Sequence, residues 1–337
     1  MALDSTLRTM LTLPAVCAPM MIVSGPALVR EACKAGIMAG LPRHNARTRE
    51  EFEAWLASVR SDLDAFASEN PGVVIGPLAA NIVVRGRLEE LRADLAICAK
   101  YGVEIVISAL GDPTALTKVV HDWGGKVFHD VTTLRHAAKA IEAGVDGLTC
   151  IGSGGGGHSG TLNALAFIPR VRELWDGTII FAGGVSSGAA VRAAEVLGAD
   201  LAYVGTRFIA TQEAHAPEEY KALLVASGSE DLLYTDRITG VPANWLKGSL
   251  RRVGLDPDAL PVPTAVRSYD HLPDGIRPWR DIWSAGQGVD LIRDIPPVAE
   301  LVRRLREEYR IACEVPDLEA AAQLAARAPR GTGVSPS

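Results

Sequence analysis

The chain has 337 residues, 48% hydrophobic and 22% charged, with a formal net charge of -6. That length and apolar content suit one large α/β barrel or two ordinary domains and exclude disorder for most of the chain. Basic residues are dispersed among acidic ones, which gives no footprint for nucleic acid or an anionic membrane, and no apolar run reaches the ~18 residues of a membrane span. A small-molecule partner is the expectation.

The five cysteines, Cys17, Cys33, Cys98, Cys150 and Cys313, are odd in number and lack C-x-x-C spacing, so buried free thiols are expected rather than disulfides or a zinc site. LPAVCAP around Cys17 carries part of a lipoprotein cleavage pattern, but Val16 is wrong for one, and MALDSTLRTM is not a basic leader. A cytoplasmic location follows by default.

In chain order, short apolar or β-branched runs predict eight strands: AVCAPM (15–20), GIMAGL (36–41), VVIGPLAAN (73–81), EIVISAL (104–110), KVFHDV (126–131), DGLTCI (146–151), TIIFAG (178–183) and DLAYVG (200–205). Between them, stretches such as REEFEAWLASVRSDLDAFA, GRLEELRADLAICAKYG, TLRHAAKAIEAG and SGAAVRAAEVLG have helical period and end near glycines suited to a C-cap. Eight βα units in about 210 residues fit a closed TIM barrel better than a doubly wound sheet. The expected organisation is a barrel over 12–226, a lid or small second domain without clear strands over 227–290, a returning helix over 291–315 and a disordered tail over 316–337.

Between the sixth and seventh strands lies IGSGGGGHSGT (151–161), six glycines in eleven positions with one histidine. Glycines cluster where φ must be positive or where a ligand must lie against the main chain. Gly152, Gly154 and Gly157 also satisfy G-x-G-x-x-G, with Glu173 or Asp176 about twenty residues on as the would-be ribose ligand. In a dinucleotide-binding fold that turn follows the first strand, whereas here it follows the sixth, so a barrel loop is the better reading.

Barrel active sites lie at the C-terminal ends of the strands. There, Ala182-Gly183-Gly184-Val185-Ser186-Ser187-Gly188 follows the seventh strand and opens a helix, and Gly205-Thr206-Arg207 follows the eighth. The two bare turns read as a phosphate cradle of backbone N–H groups and a helix dipole. His158 is the titratable group of the glycine loop and hence the candidate base, whereas His44, His121, His129, His136, His215 and His271 are expected in surface or structural roles.

APM (18–20), Asn81, GGGGHSG (154–160), AGGVSSG (182–188), GADLAYVGTRF (198–208) and SAGQG (284–288) together resemble the nitronate monooxygenase (2-nitropropane dioxygenase-like) family. Flavin-dependent enoyl-acyl-carrier-protein reductases share that scaffold. The likeness spans roughly residues 12–310 and implies a TIM barrel carrying FMN, with the phosphate on Gly183, Gly184, Gly205 and Thr206. It also implies Ala18, Met20 and Asn81 near the flavin ring, Gly155, Gly156 and Gly157 passing close to it, Gln287 returning towards it, His158 as base, and no metal.

The reaction implied is oxidation of nitroalkanes or alkyl nitronates by molecular oxygen. The alternative is an ene-reductase that passes a hydride from NAD(P)H to an enoyl thioester or related unsaturated carbonyl. A non-catalytic flavin-binding barrel is disfavoured by the retention of His158. Two departures fall near the substrate side: Ser153 and Gly154 stand where relatives carry an acid and an alanine, and the second strand runs into MAGLPRHNAR. Arg43, His44 and Asn45 there would hold an anionic or acyl-thioester substrate or form a solvated loop. The partners expected are a small substrate and oxygen, with no nucleic acid or membrane and self-association left open.

Overall fold

The structure, a computed structural model, describes residues 3–315 apart from 85, 86 and 267; the expected disordered tail (316–337) lies outside the described residues. Eight parallel strands close a barrel in the order β1 (Ala15–Cys17), β2 (Met38–Pro42), β3 (Leu78–Val83), β4 (Ile105–Ala109), β5 (Lys126–Val131), β6 (Gly147–Ile151), β8 (Thr178–Ala182) and β9 (Leu201–Val204). β9 pairs back onto β1, with Val16 opposite Tyr203. The fold is the TIM barrel expected, and each of the eight predicted strands is present. β7 (Gly157–His158) lies outside the barrel.

Because successive side chains on a strand face opposite sides, each barrel strand splits its residues between two cores. Val16, Met38, Ala79, Ile105, Ile107, Phe128, Ile180 and Leu201 fill the interior. Leu3 and Leu7 join that cluster from the short helix Ser5–Thr9, and the Leu3 amide donates to Asp200 Oδ1 (3.2 Å) just before β9, which seats this segment at the N-terminal end of the barrel. The opposite parity, including Cys17, Ala39, Ala80, Val106, Val127, Leu148, Ile179 and Val204, packs under the helices. With the interior plugged by apolar side chains from below, space remains only at the C-terminal ends.

The helices form for local reasons as well. Arg49–Glu69 begins where Thr48 accepts a hydrogen bond from the Glu51 amide (3.1 Å), and it buries Phe52, Leu56, Val59 and Leu63 along one stripe. The C-terminal helix is Val298–Cys313. It packs on Gly188–Val196, with Tyr309 Oη donating to Glu195 Oε2 at 2.7 Å. Four cysteines are buried free thiols; Cys313, on this last helix, is exposed, contrary to expectation.

The segment after the barrel departs further from the sequence reading. It carries β10 (Leu232–Thr235) and β11 (Ala243–Leu246), where no clear strands were expected, followed by the helix Lys247–Arg252. β10 and β11 are antiparallel, and β11 pairs in turn with β7, placing Ala243 opposite His158 and Asn244 opposite Gly157. The end of the glycine run is thus a strand rather than a free loop. Ile238, Ala243, Trp245, Leu250, Leu272 and Ile282 give this region an apolar cluster of its own. Among the described residues no helix is long and apolar enough to cross a membrane.

Candidate active site

A cavity of about 600 Å³ opens at the C-terminal ends of the strands. Ala18, Met20, Asn81, Gly155, Gly156, Gly157, His158, Gly183, Gly184, Gly205 and Thr206 all line it, so eleven residues spread over the chain meet in one place. Gln287 is the exception. Its side chain is exposed, and its amide donates to Gly154 O (3.0 Å), while the neighbouring Gly286 and Gly288 line the cavity.

The glycines are explained by what approaches them. A Cβ on Gly156 would come within 2.9 Å of the Gly286 amide nitrogen, and Gly157 combines φ +71° with the Trp279 ring 3.2 Å from where its Cβ would stand. The glycine loop and the 284–288 segment therefore meet backbone to backbone, joined by the Gln287 amide donating to Gly154 O, and Thr206 Oγ1 holds the same segment from the end of β9 by accepting from the Gly286 amide at 2.9 Å. Gly184 differs: at φ +72° its Cβ would meet no atom within 4 Å. Since Gly184 lines the cavity, its bare face gives onto space that an anionic group could fill.

That arrangement fits a phosphate, with one revision to the cradle read from sequence. The helix Gly188–Val196 does not offer its first amide, because Gly188 N donates to Glu308 Oε2 at 2.7 Å. The donors left for a phosphate are those of the turn before it, around Gly184, together with Thr206. The Thr206 hydroxyl accepts from Gly286 and keeps its own proton to donate.

His158 is held from the region after the barrel. Its Nε2 lies 3.2 Å from Thr239 Oγ1, and that hydroxyl donates to Val241 O at 3.1 Å. Both contacts are satisfied at once when Thr239 donates to Val241 O and His158 Nε2–H donates to Thr239 Oγ1. Nδ1 is then the lone-pair nitrogen, without a hydrogen-bond partner among the described residues. Burial pushes the imidazole pKa below its ordinary value, which keeps the ring neutral and able to accept a proton. Trp279 packs edge-on against the imidazole with ring centroids 5.2 Å apart, and Trp245 lies 4.5 Å from Trp279.

Asn244, which the sequence reading passed over, is nearly fully buried, and its Nδ2 donates to Gly155 O at 2.7 Å. It thereby clamps the glycine loop from outside. The signal was there in ANWL, a polar residue inside an apolar run. Asn81 Nδ2 donates to Ile107 O across β3 and β4 (3.0 Å), which fixes its amide at the cavity wall.

Of Arg43, His44 and Asn45, only His44 lines the cavity. Arg43 is ion-paired with Asp94 (3.0 Å), and Asn45 donates to Met20 O and Ser24 O, each at 2.9 Å, bracing the loop after β1. Neither is free to hold a substrate. Burial, helped by the Arg43 charge, pushes the His44 pKa down.

The model of the nitronate monooxygenase family matches residues 77–308 of the chain. A curated dehydrogenase of Rhodococcus jostii (strain RHA1), (3aS,4S,5R,7aS)-5-hydroxy-7a-methyl-1-oxo-octahydro-1H-indene-4-carboxyl-CoA dehydrogenase, is 29% identical over 73% of this chain and 67% of its own. The nitronate monooxygenase of Pseudomonas aeruginosa is 26% identical over 88% of this chain and 96% of its own. The solved structure of a nitroalkane oxidase from Streptomyces ansochromogenes superposes with a TM-score of 0.75 at 25% identity, covering 92% of this chain and 99% of that one. Other curated relatives are matched over about half their length, as with a monooxygenase of Mycobacterium tuberculosis at 49%.

Proposed function

Because the chain belongs to the nitronate monooxygenase family and is a flavin-dependent oxidoreductase, we propose that it binds FMN and oxidises alkyl nitronates or nitroalkanes with molecular oxygen, His158 serving as the base. The observation that carries this reading is the His158 Nε2–Thr239–Val241 run of contacts beside the cavity, satisfied throughout when Nε2 carries the hydrogen. An imidazole whose Nε2–H is engaged by Thr239 is a neutral base at Nδ1, in a cavity walled by bare backbone against which a flat ring can lie.

Gly184 and Thr206 would hold the phosphate of FMN, and Met20, Asn81 and Gly155–Gly157 would border its ring. When bound, FMN supplies the electron-accepting chemistry. The chain's own part is to orient the substrate, remove one α-proton at His158 Nδ1 and keep water away with the Trp279 side of the cavity. Residues 227–290 would act as a cap that carries the partners of the base rather than as a separate domain.

The Rhodococcus relative acts, by its name, on a carboxyl-CoA compound as a dehydrogenase, so an acyl-thioester redox reaction is the second reading. The two separate in an anaerobic mixing experiment. A small alkyl nitronate should bleach the oxidised FMN faster than an equal concentration of NADH or NADPH, and aerobic turnover should need neither nicotinamide. Rapid bleaching by NADH with nitronates inert would overturn the oxidative reading.

A further inference from the structure

Beneath the residues discussed so far, three polar side chains at or just under the cavity floor each have a buried atom with no hydrogen-bond partner among the described residues. Asp130 on β5, Thr149 on β6 and Tyr203 on β9 follow the same inward parity as Phe128 and Leu201, in the layer just above the apolar plug. Asp130 and Thr149 are directly opposite each other across β5 and β6. Asp130 Oδ1, Thr149 Oγ1 and Tyr203 Oη are each buried with no hydrogen-bond partner among the described residues. Three such atoms in one layer are unusual, because buried polar side-chain atoms are in the large majority hydrogen-bonded.

Asp130 and Tyr203 also line the cavity. Oδ1 is occluded, so Oδ2 is the oxygen left to face a ligand. We propose that Asp130 is a ligand-binding residue in the floor of the cavity, presenting a neutral carboxyl that donates from Oδ2 to a carbonyl-bearing edge of the bound ring, so that binding draws a proton from solvent. The proposal rests on the FMN reading and adds to it a charge state: this acid meets its ligand uncharged.

Burial pushes the Asp130 carboxyl up to about 7, and the Thr149 hydroxyl, which makes no hydrogen bond of ordinary geometry with it, offsets only part of that. The other titratable groups around the cavity are His44, His158, Tyr203, Tyr220 and Tyr269. The neighbouring strands β4 and β6 present Ile107, Ala109, Thr149 and Ile151 on the same side, none of them charged. Burial and the Asp130 charge hold the Tyr203 phenol well above its ordinary range, so it stays a neutral neighbour. Among the described residues no cation lines the cavity beside the carboxylate.

The sign follows by linkage. If the ligand prefers the protonated acid, its affinity is constant below the free-state pKa and weakens by about tenfold per pH unit above 7, until the bound-state pKa is reached. The test is calorimetric titration of the flavin-free chain with FMN at pH 8 in two buffers of different ionisation enthalpy, which counts protons taken up. The wild type should take up close to one proton more than Asp130→Asn, whose affinity should lose this pH dependence while FMN still binds. Thr149→Val, which removes the one contact that lowers the acid, should move the onset of weakening to higher pH. Equal proton counts in wild type and Asp130→Asn, with FMN bound by both, would overturn the floor subsite alone. No FMN binding by the wild type would overturn the flavin reading and the subsite with it.

Discussion

The two walls of the cavity are built on different principles. The barrel wall consists of strand ends and turns fixed by continuous parallel pairing from β1 round to β9, and what it offers is mostly backbone: Gly183, Gly184, Gly205 and the Thr206 hydroxyl. Residues 227–290 contribute side chains: Tyr269 and Trp279 line the cavity, and behind it Thr239 contacts His158 and Asn244 holds the glycine loop. On the proposed reading the first wall would hold the cofactor and the second would set the chemistry above it.

The contrast predicts two kinds of failure. The largest effect should come at the point where the walls meet: His158→Ala should keep its FMN and lose nitroalkane turnover by about 10² to 10⁴-fold, the span for a general base. A cradle lesion should do the reverse. Gly184→Asp puts a carboxylate into the open space and a side chain at φ +72°, so flavin affinity should fall by roughly 10²-fold. Gly184→Asn, which tolerates that backbone without the charge, should retain most of the affinity; equal loss in both would mean that strain, not charge, is responsible.

Smaller effects belong to the second wall. Asn244→Ala leaves the Gly155 carbonyl without its donor, at a cost of about 1–3 kcal/mol, and should raise the mobility of the glycine loop in hydrogen exchange while turnover falls about tenfold. Thr239→Val should be mildest, lowering nitroalkane kcat/KM by roughly three- to tenfold, because the imidazole stays in place but its tautomers mix. Nitrogen NMR reads this directly: Nε2–H should dominate in the wild type and lose that dominance in the variant. In the wild type, kcat/KM should fall on the acid side only below the ordinary histidine value of about 6.5, since burial lowers the His158 pKa and the neutral ring is the active form.

The same contrast governs what could be read from sequence. The barrel was legible because its strands are short runs in which apolar residues recur on a fixed parity, as in TIIFAG, and several helices end near a glycine suited to a C-cap. The second wall was not, because Leu232–Thr235 and Ala243–Leu246 are four residues each and one of them pairs with a two-residue strand, Gly157–His158, some eighty positions away. No local period encodes such pairing. Asp130 was readable in principle: it shares a face with Phe128, and an acid on the inward face of a buried strand marks a site. That the Gly188 amide is taken by Glu308 was not readable, since the two are brought together only by the docking of the last helix.

Whether an imidazole held by the second wall removes the substrate proton is read most directly from turnover of His158→Ala on a nitroalkane and on its pre-formed nitronate, side by side. The large loss should be confined to the nitroalkane, with the nitronate oxidised within about tenfold of the wild-type rate, because its proton is already gone. Equal losses on both forms would contradict that expectation and would mean that His158 serves in some way other than as the base.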